Sequence, residues 1–171
     1  MMVCIEKFLG QKVEIPEDRR YHLKQGLWAK GEGNEVRFGL AQPALVLGGG
    51  VDTLDWLVED GERVGQGESV IFAITGKILY LETPVAGTIS FNKMLKQRPA
   101  VVRLDPYDTG WLFSIAPEIP IDEALKEFGS AENYLDILKH SEGFKNPEGI
   151  KGGVSGICKA VYSGIREQKI G

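Results

Sequence analysis

The 171 residues hold only two cysteines and two histidines. Cys4 and Cys158 stand near opposite ends and form no CxxC pair, which excludes a disulfide framework and a zinc ribbon. A single bridge between them stays open in principle, and a reduced, cytoplasmic pair is the expectation. His22 and His140 are far apart with no ligand cluster near either, so structural or solvated roles are expected and no metal site. No apolar run approaches the roughly 18 residues of a membrane span. The first ten residues are broken by Glu6 and Lys7 and lack the apolar stretch of a secretory signal. The expectation is a soluble, cytoplasmic protein.

A basic excess is also missing. Twenty Lys and Arg stand against 24 Asp and Glu, a formal net charge of −4, which argues against bulk nucleic-acid binding. No Ser/His/Asp or Cys/His grouping can be paired along the chain, and the carboxylates are scattered over turns, so catalysis by this chain alone is unsupported. Gly76-Lys77 is not the end of a phosphate-binding loop, because Ile71 stands where a glycine is needed and Ile78 where Ser or Thr is needed. Gly48-Gly49-Gly50 lacks a GxGxxG context and reads as a turn or bulge.

What is present in quantity is glycine, 22 residues, with 8 prolines, the texture of a turn-rich β protein. Residues 1–20 read as an N-terminal extension, an accessory arm with one short amphipathic piece, Val3 to Leu9. From Tyr21 to about Glu118, short apolar runs alternate with glycine-containing turns. Gly31-Glu32-Gly33-Asn34 between two apolar runs predicts a hairpin. Val51 to Val58 is a further candidate strand, and Glu59 to Glu62 and Gly65 to Glu68 read as turns. Ser69 to Ile74 and Ile78 to Glu82 are strand candidates around Thr75-Gly76-Lys77, with Gly76 expected to supply a positive φ. Thr88 to Phe91 resumes as strand, and Asn92 to Gln97 fits one helical turn. Helices are expected over Asp122 to Phe128 and Ala131 to His140, the second capped by Ser130. Residues 119–140 thus form helical additions. Residues 141–171 form a Gly- and Lys-rich tail whose weak apolar pattern (Ile157, Val161, Ile165) fits a flexible extension or a short docking helix.

Lys77 is the one candidate site residue. A lysine beside a glycine, between two strongly apolar strands, is held at its base by strand pairing and exposed at its tip. An enzyme that acylates a lysine needs such an amine on a defined backbone. Most hairpin lysines, though, are ordinary solvated charges.

The order of segments around Lys77 resembles the glycine cleavage H-proteins. The segments that carry the resemblance are Tyr21-His22 through Leu27-Trp28, Asn34 to Leu45, the paired turn Val58 to Glu68, Pro84-Val85-Ala86-Gly87-Thr88-Ile89, and above all Asp105-Pro106-Tyr107-Asp108-Thr109-Gly110-Trp111-Leu112. The last is absent from simple lipoyl or biotinyl domains. The resemblance implies a mainly β fold, a lipoyl-type barrel-sandwich hybrid with short helices and a helical C-terminal extension, over residues 21–118. It implies a non-catalytic carrier, with lipoic acid attached to Lys77, that moves an aminomethyl group on a swinging arm. The partners implied are glycine decarboxylase, aminomethyltransferase, dihydrolipoyl dehydrogenase and a lipoate-attaching enzyme.

Two departures accompany it. Where family members read Glu-Ser-Val-Lys-Ala, this chain has Ile74-Thr75-Gly76-Lys77-Ile78, and one residue is missing between Lys77 and Pro84, so that counting back from Pro84 reaches Gly76 instead. Residues 92–103 are basic (Lys93, Lys96, Arg98, Arg103) where the family is acidic, which points to a different partner surface. An H-like paralogue carrying lipoate for another pathway, such as sulfur metabolism, and an unlipoylated H-like scaffold are therefore kept as alternatives.

Overall fold

The computed structural model describes residues 1–150. The expectations for Cys158 and for the apolar pattern of Ile157, Val161 and Ile165 lie outside them. Eleven strands are described: β1 Met2–Phe8, β2 Gln11–Pro16, β3 Arg20–His22, β4 Leu27–Glu32, β5 Glu35–Leu40, β6 Thr53–Trp56, β7 Arg63–Val64, β8 Ser69–Ile74, β9 Ile78–Glu82, β10 Gly87–Phe91 and β11 Phe113–Pro117. The helices are α1 Gln42–Gly48, α2 Val101–Leu104, α3 Ile121–Leu125, α4 Ala131–Leu138 and α5 Glu142–Lys145, with a 3-10 turn at Lys93–Lys96.

The strands form three sheets: β1-β2, β3-β4-β5-β11-β10-β7, and β6-β8-β9. All pairings are antiparallel, and the ladders do not close into a barrel among the described residues. The architecture is mixed, β-sheet with short helices. The six- and three-stranded sheets share one hydrophobic core: Phe38, Ile89, Phe113 and Ile115 from the first meet Ile71, Ala73 and Leu81 from the second.

The local chemistry explains most boundaries. The β4–β5 hairpin turns at Gly33-Asn34, where Gly33 has φ +65°, a region a side chain rarely enters. Helix α1 starts with a proline in its first turn and ends at Gly49 in the left-handed conformation, which makes the glycine triplet a helix stop. Ser130 caps α4 in a reciprocal arrangement with Asn133. Helix α4 closes at Leu138, two residues before the expected His140, and α3 covers only Ile121–Leu125 of the expected helix to Phe128.

The N-terminal segment differs from the expected accessory arm. Residues 1–20 contain the β1–β2 hairpin, and its Ile5, Phe8, Val13 and Ile15 are buried in a second cluster with Tyr21, Trp28, Tyr134 and Leu138. The alternation in Val3 to Leu9 is that of a strand half-buried on one face. The chain after α5 returns to this hairpin: the Gly10 N–H donates to Pro147 O, and Lys7 pairs with Glu148.

Candidate functional site

Lys77 lies in the three-residue loop between β8 and β9, directly above the facing pair Ile74 and Ile78. The tip is built differently from the expectation that Gly76 supplies a positive φ: Gly76 is not among the residues with positive φ. The loop is instead closed by Thr75. Its backbone N–H donates to Lys77 O at 2.8 Å, its hydroxyl lies 3.0 Å from the same oxygen, and Lys77 N–H donates to Thr75 Oγ1 at 3.1 Å. Thr75 is buried while Gly76 and Lys77 are exposed, so a small polar knot under the turn fixes the backbone from which the lysine projects.

The base of the hairpin is held by a residue that sequence reasoning missed. Gln25, in the loop between β3 and β4, donates from Nε2 to Glu82 O at 2.9 Å and accepts from Glu82 N–H at Oε1, also at 2.9 Å. The side-chain amide thus occupies the open edge of β9 as a neighbouring strand would. Gly67 N–H to Thr83 O and Thr83 N–H to Glu68 O continue the support past the end of β9.

Between α1, α4 and the hairpin lies a groove of about 370 Å³, with Lys77, Thr75 and Ser141 in its lining. Leu23, Leu40, Ala44, Leu47, Leu79 and Ile137 give it an apolar lining; among the described residues no carboxylate contributes, and Lys24 is the only cation besides Lys77. Gln25 also walls a second cavity of about 400 Å³, lined by His22, Glu82, Glu118, Glu127 and Phe128. His22 sits there half-buried, edge-on to Phe128, and burial lowers its pKa below 6.5. His140 is exposed and lies just past the end of α4, on a different element from His22 in β3. Among the described residues no three His, Cys, Asp or Glu side chains gather as a metal site would need, and no helix is long and apolar enough to cross a membrane.

The segment Asp105 to Leu112 is a structural bracket. Trp28 Nε1 donates to Pro106 O at 2.9 Å, and Gln42 N–H donates to the Tyr107 hydroxyl, which itself donates to Glu14 O. Asn92 Nδ2 donates to Thr109 O and Trp111 O, and the Arg37 guanidinium lies 4.3 Å from the Trp111 ring centre. One loop thus ties β2, β4, α1 and the 3-10 turn together. Two of the four cations that suggested an unusual partner surface are engaged within the chain: Lys93 pairs with Asp60, and Lys96 pairs with Asp55 while lying over Trp56.

Among the described residues the hairpin holds one exposed lysine, Lys77, at its tip, braced by Thr75 and Gln25. The family model for the glycine cleavage H-protein matches residues 19–141. The chain is 37% identical over 133 residues to the glycine cleavage system H protein of a Thermus thermophilus strain, covering 74% of this chain and 98% of that protein. It is 32% identical over 127 residues to that of Anaeromyxobacter sp. strain K, covering 72% and 98%. The crystal structure of the Mycobacterium marinum glycine cleavage system H protein superposes with a TM-score of 0.59 at 30% identity, covering 71% of this chain and 97% of that one. The chain belongs to the glycine cleavage H-protein family. Its function is that of a non-catalytic lipoyl carrier in glycine cleavage.

Proposed function

We propose that Lys77 is the residue that carries the lipoyl group, joined through an amide to its ε-amine. The single observation that carries this reading is the geometry of the tip. Lys77 is the only charged side chain between Ser69 and Leu81, and it is exposed above a turn whose backbone is fixed by Thr75. The site suits the group: the amine is accessible for acylation, and the adjoining groove is apolar and, among the described residues, free of carboxylates, a surface compatible with an alkyl arm.

The lipoyl group supplies the dithiolane that takes up the aminomethyl group and hands it on. The chain's own residues do the positioning. Thr75 and the Ile74–Ile78 pair fix where the arm begins, and Gln25 keeps β9 from fraying below it. A fixed base with a long tether raises the effective concentration of cargo at each partner, which is the carrier's whole contribution to rate. The partners in this reading are the lipoate-attaching enzyme, glycine decarboxylase, aminomethyltransferase and dihydrolipoyl dehydrogenase, meeting in the cytoplasm.

In the same reading the two sheets around the common core correspond to a barrel-sandwich hybrid over residues 21–118. Residues 119–140 serve as helical additions, and residues 1–20 and 141–171 as extensions.

The test is the intact mass of the full chain made in a lipoate-competent host. One lipoyl adduct is expected, and Lys77→Ala loses it. Wild-type protein that stays unmodified when lipoate ligase, lipoate and ATP are supplied overturns the reading and leaves an unlipoylated scaffold.

A further inference from the structure

The hairpin that bears Lys77 is unusual in its outer face. Side chains alternate across a strand, so residues two apart share a side. Phe72 faces Tyr80 and Ile74 faces Ile78, which places all four on one face of the sheet. Among the described residues nothing packs over that face: Ile74 is 41% exposed, Ile78 60% and Tyr80 56%. The Phe72 and Tyr80 rings meet edge to face at 5.5 Å and form a ready-made apolar platform. On the adjoining strand β6 the only charge on this face is Asp55, which is engaged with Lys96.

This apolar strip begins directly beneath Lys77. Any enzyme that closes over the ε-amine also covers the side chains of Ile74 and Ile78, three residues before the lysine and one after it. The hairpin itself offers only apolar contacts there, because no other charge lies between Ser69 and Leu81; the nearest carboxylates are Asp52, whose N–H donates to Ile74 O, and Asp55, which is engaged with Lys96. An enzyme offering a cation to this strip would leave it desolvated and unpaired, a penalty that excludes wrong partners. An enzyme offering an apolar, uncharged surface would bury Ile74, Ile78 and the edge of Tyr80 and gain from it.

We propose that Ile74 and Ile78, backed by Tyr80 and Phe72, are the determinants by which the enzyme that acylates Lys77 selects this chain, and that this enzyme meets the hairpin with an apolar, uncharged face. The proposal rests on the reading of Lys77 as the modified residue. It separates two tasks on one hairpin: Lys77 supplies the nucleophilic amine, and the isoleucine pair supplies recognition.

The experiment uses tagged full-length copies produced in the organism that carries the chain: wild type, Lys77→Arg, Ile74→Glu, Ile78→Glu, and Leu104→Glu as a remote exposed control. The rate of lipoylation is read by intact mass at timed intervals after induction, beside thermal unfolding and sedimentation. Wild type and Leu104→Glu are expected to be modified alike and Lys77→Arg not at all. Ile74→Glu and Ile78→Glu are expected to be modified at least about tenfold more slowly with unchanged unfolding midpoints. Ile74→Thr removes apolar surface while keeping a β-branched strand residue, and is expected to fall between wild type and Ile74→Glu even if the charged variants fold poorly. Glutamate variants modified at the wild-type rate overturn the proposal while Lys77 stands. An adduct that persists on Lys77→Arg, or a wild type that carries none, overturns the Lys77 reading and the proposal with it. A concentration-dependent dimer that Ile74→Glu dissolves without slowing lipoylation assigns the strip to a second copy of the chain, and also overturns it.

Discussion

The side chain of Gln25 makes two hydrogen bonds to the backbone of one residue, Glu82, donating to its carbonyl and accepting from its N–H, each at 2.9 Å. The clamp joins the β3–β4 loop to the last residue of the strand that descends from Lys77. Through it the loop at the edge of the large sheet steadies the hairpin that bears Lys77. Replacing Gln25 by Ala removes two modest hydrogen bonds and leaves the β9 edge open to water, so a loss of about 1–2 kcal/mol is expected. Urea unfolding measures the loss, and amide exchange at Glu82 is expected to quicken more than exchange in β4.

The clamp is linked to pH through His22. Gln25 N–H lies 3.3 Å from His22 Nδ1, an arrangement in which the neutral ring accepts. Burial lowers the His22 pKa from 6.5, Glu82 opposes that shift and Lys24 adds to it. The folded pKa is below the unfolded one, so the unfolded chain binds more protons in the window between them. Stability is therefore full above the ordinary imidazole range and declines as pH falls through 6.5 toward the folded value. Urea midpoints taken from pH 8 to pH 5 (about the span in which imidazole titrates) should fall for wild type and fall less for His22→Gln.

Thr75 is the second brace. Thr75→Val keeps β-branching and volume but removes the hydroxyl that pairs with Lys77 N–H. The global loss is expected to be small, about 1 kcal/mol. Faster amide exchange confined to Lys77 is the sharper readout, and a tip whose exchange does not change would show that the backbone bond from Thr75 N–H to Lys77 O suffices.

Tyr107 ties the N-terminal hairpin to α1. Burial pushes its phenol pKa up, and its hydroxyl accepts from Gln42 N–H while donating to Glu14 O. Tyr107→Phe strands both backbone groups in a half-buried place, and a cost of about 1–3 kcal/mol is expected by thermal or urea unfolding. No effect would mean that the hairpin is held by its apolar cluster alone.

Gly110 tests the bracket sterically. A Cβ there would lie 2.5 Å from Val101 O and 2.6 Å from Asp105 O, both backbone atoms that cannot rotate away. Gly110→Ala is expected to cost about 2–3 kcal/mol or more. Gly65→Ala, where a Cβ meets nothing within 4 Å, is expected to be near neutral in the same unfolding assay.

Much of the site was legible in the chain. The two apolar runs Ser69 to Ile74 and Ile78 to Glu82 are the observed strands, residue for residue, and they isolate Lys77 between them. The Ser130 cap, the Gly33-Asn34 hairpin and the helical turn after Asn92 were equally readable, because each depends on residues within a few positions of one another. The positive φ expected at Gly76 was the local rule that failed, since the Thr75 side chain and backbone close the turn without it.

Sequence by itself determined that this is a glycine-punctuated β protein with one lone amine on an apolar hairpin. Only the tertiary structure decided what steadies that hairpin and what surrounds it. Gln25 and Glu82 are 57 positions apart, Trp28 and Pro106 are 78 apart, and Tyr107 and Glu14 are 93 apart. Partners at such separations leave no periodicity or spacing to read. The same holds for the N-terminal strands, whose apolar faces became core only because α1, α4 and α5 were there to cover them. Local patterns fix elements through short-range hydrogen bonding and alternation, whereas the groove beside Lys77 and the clamp below it exist only where distant segments meet.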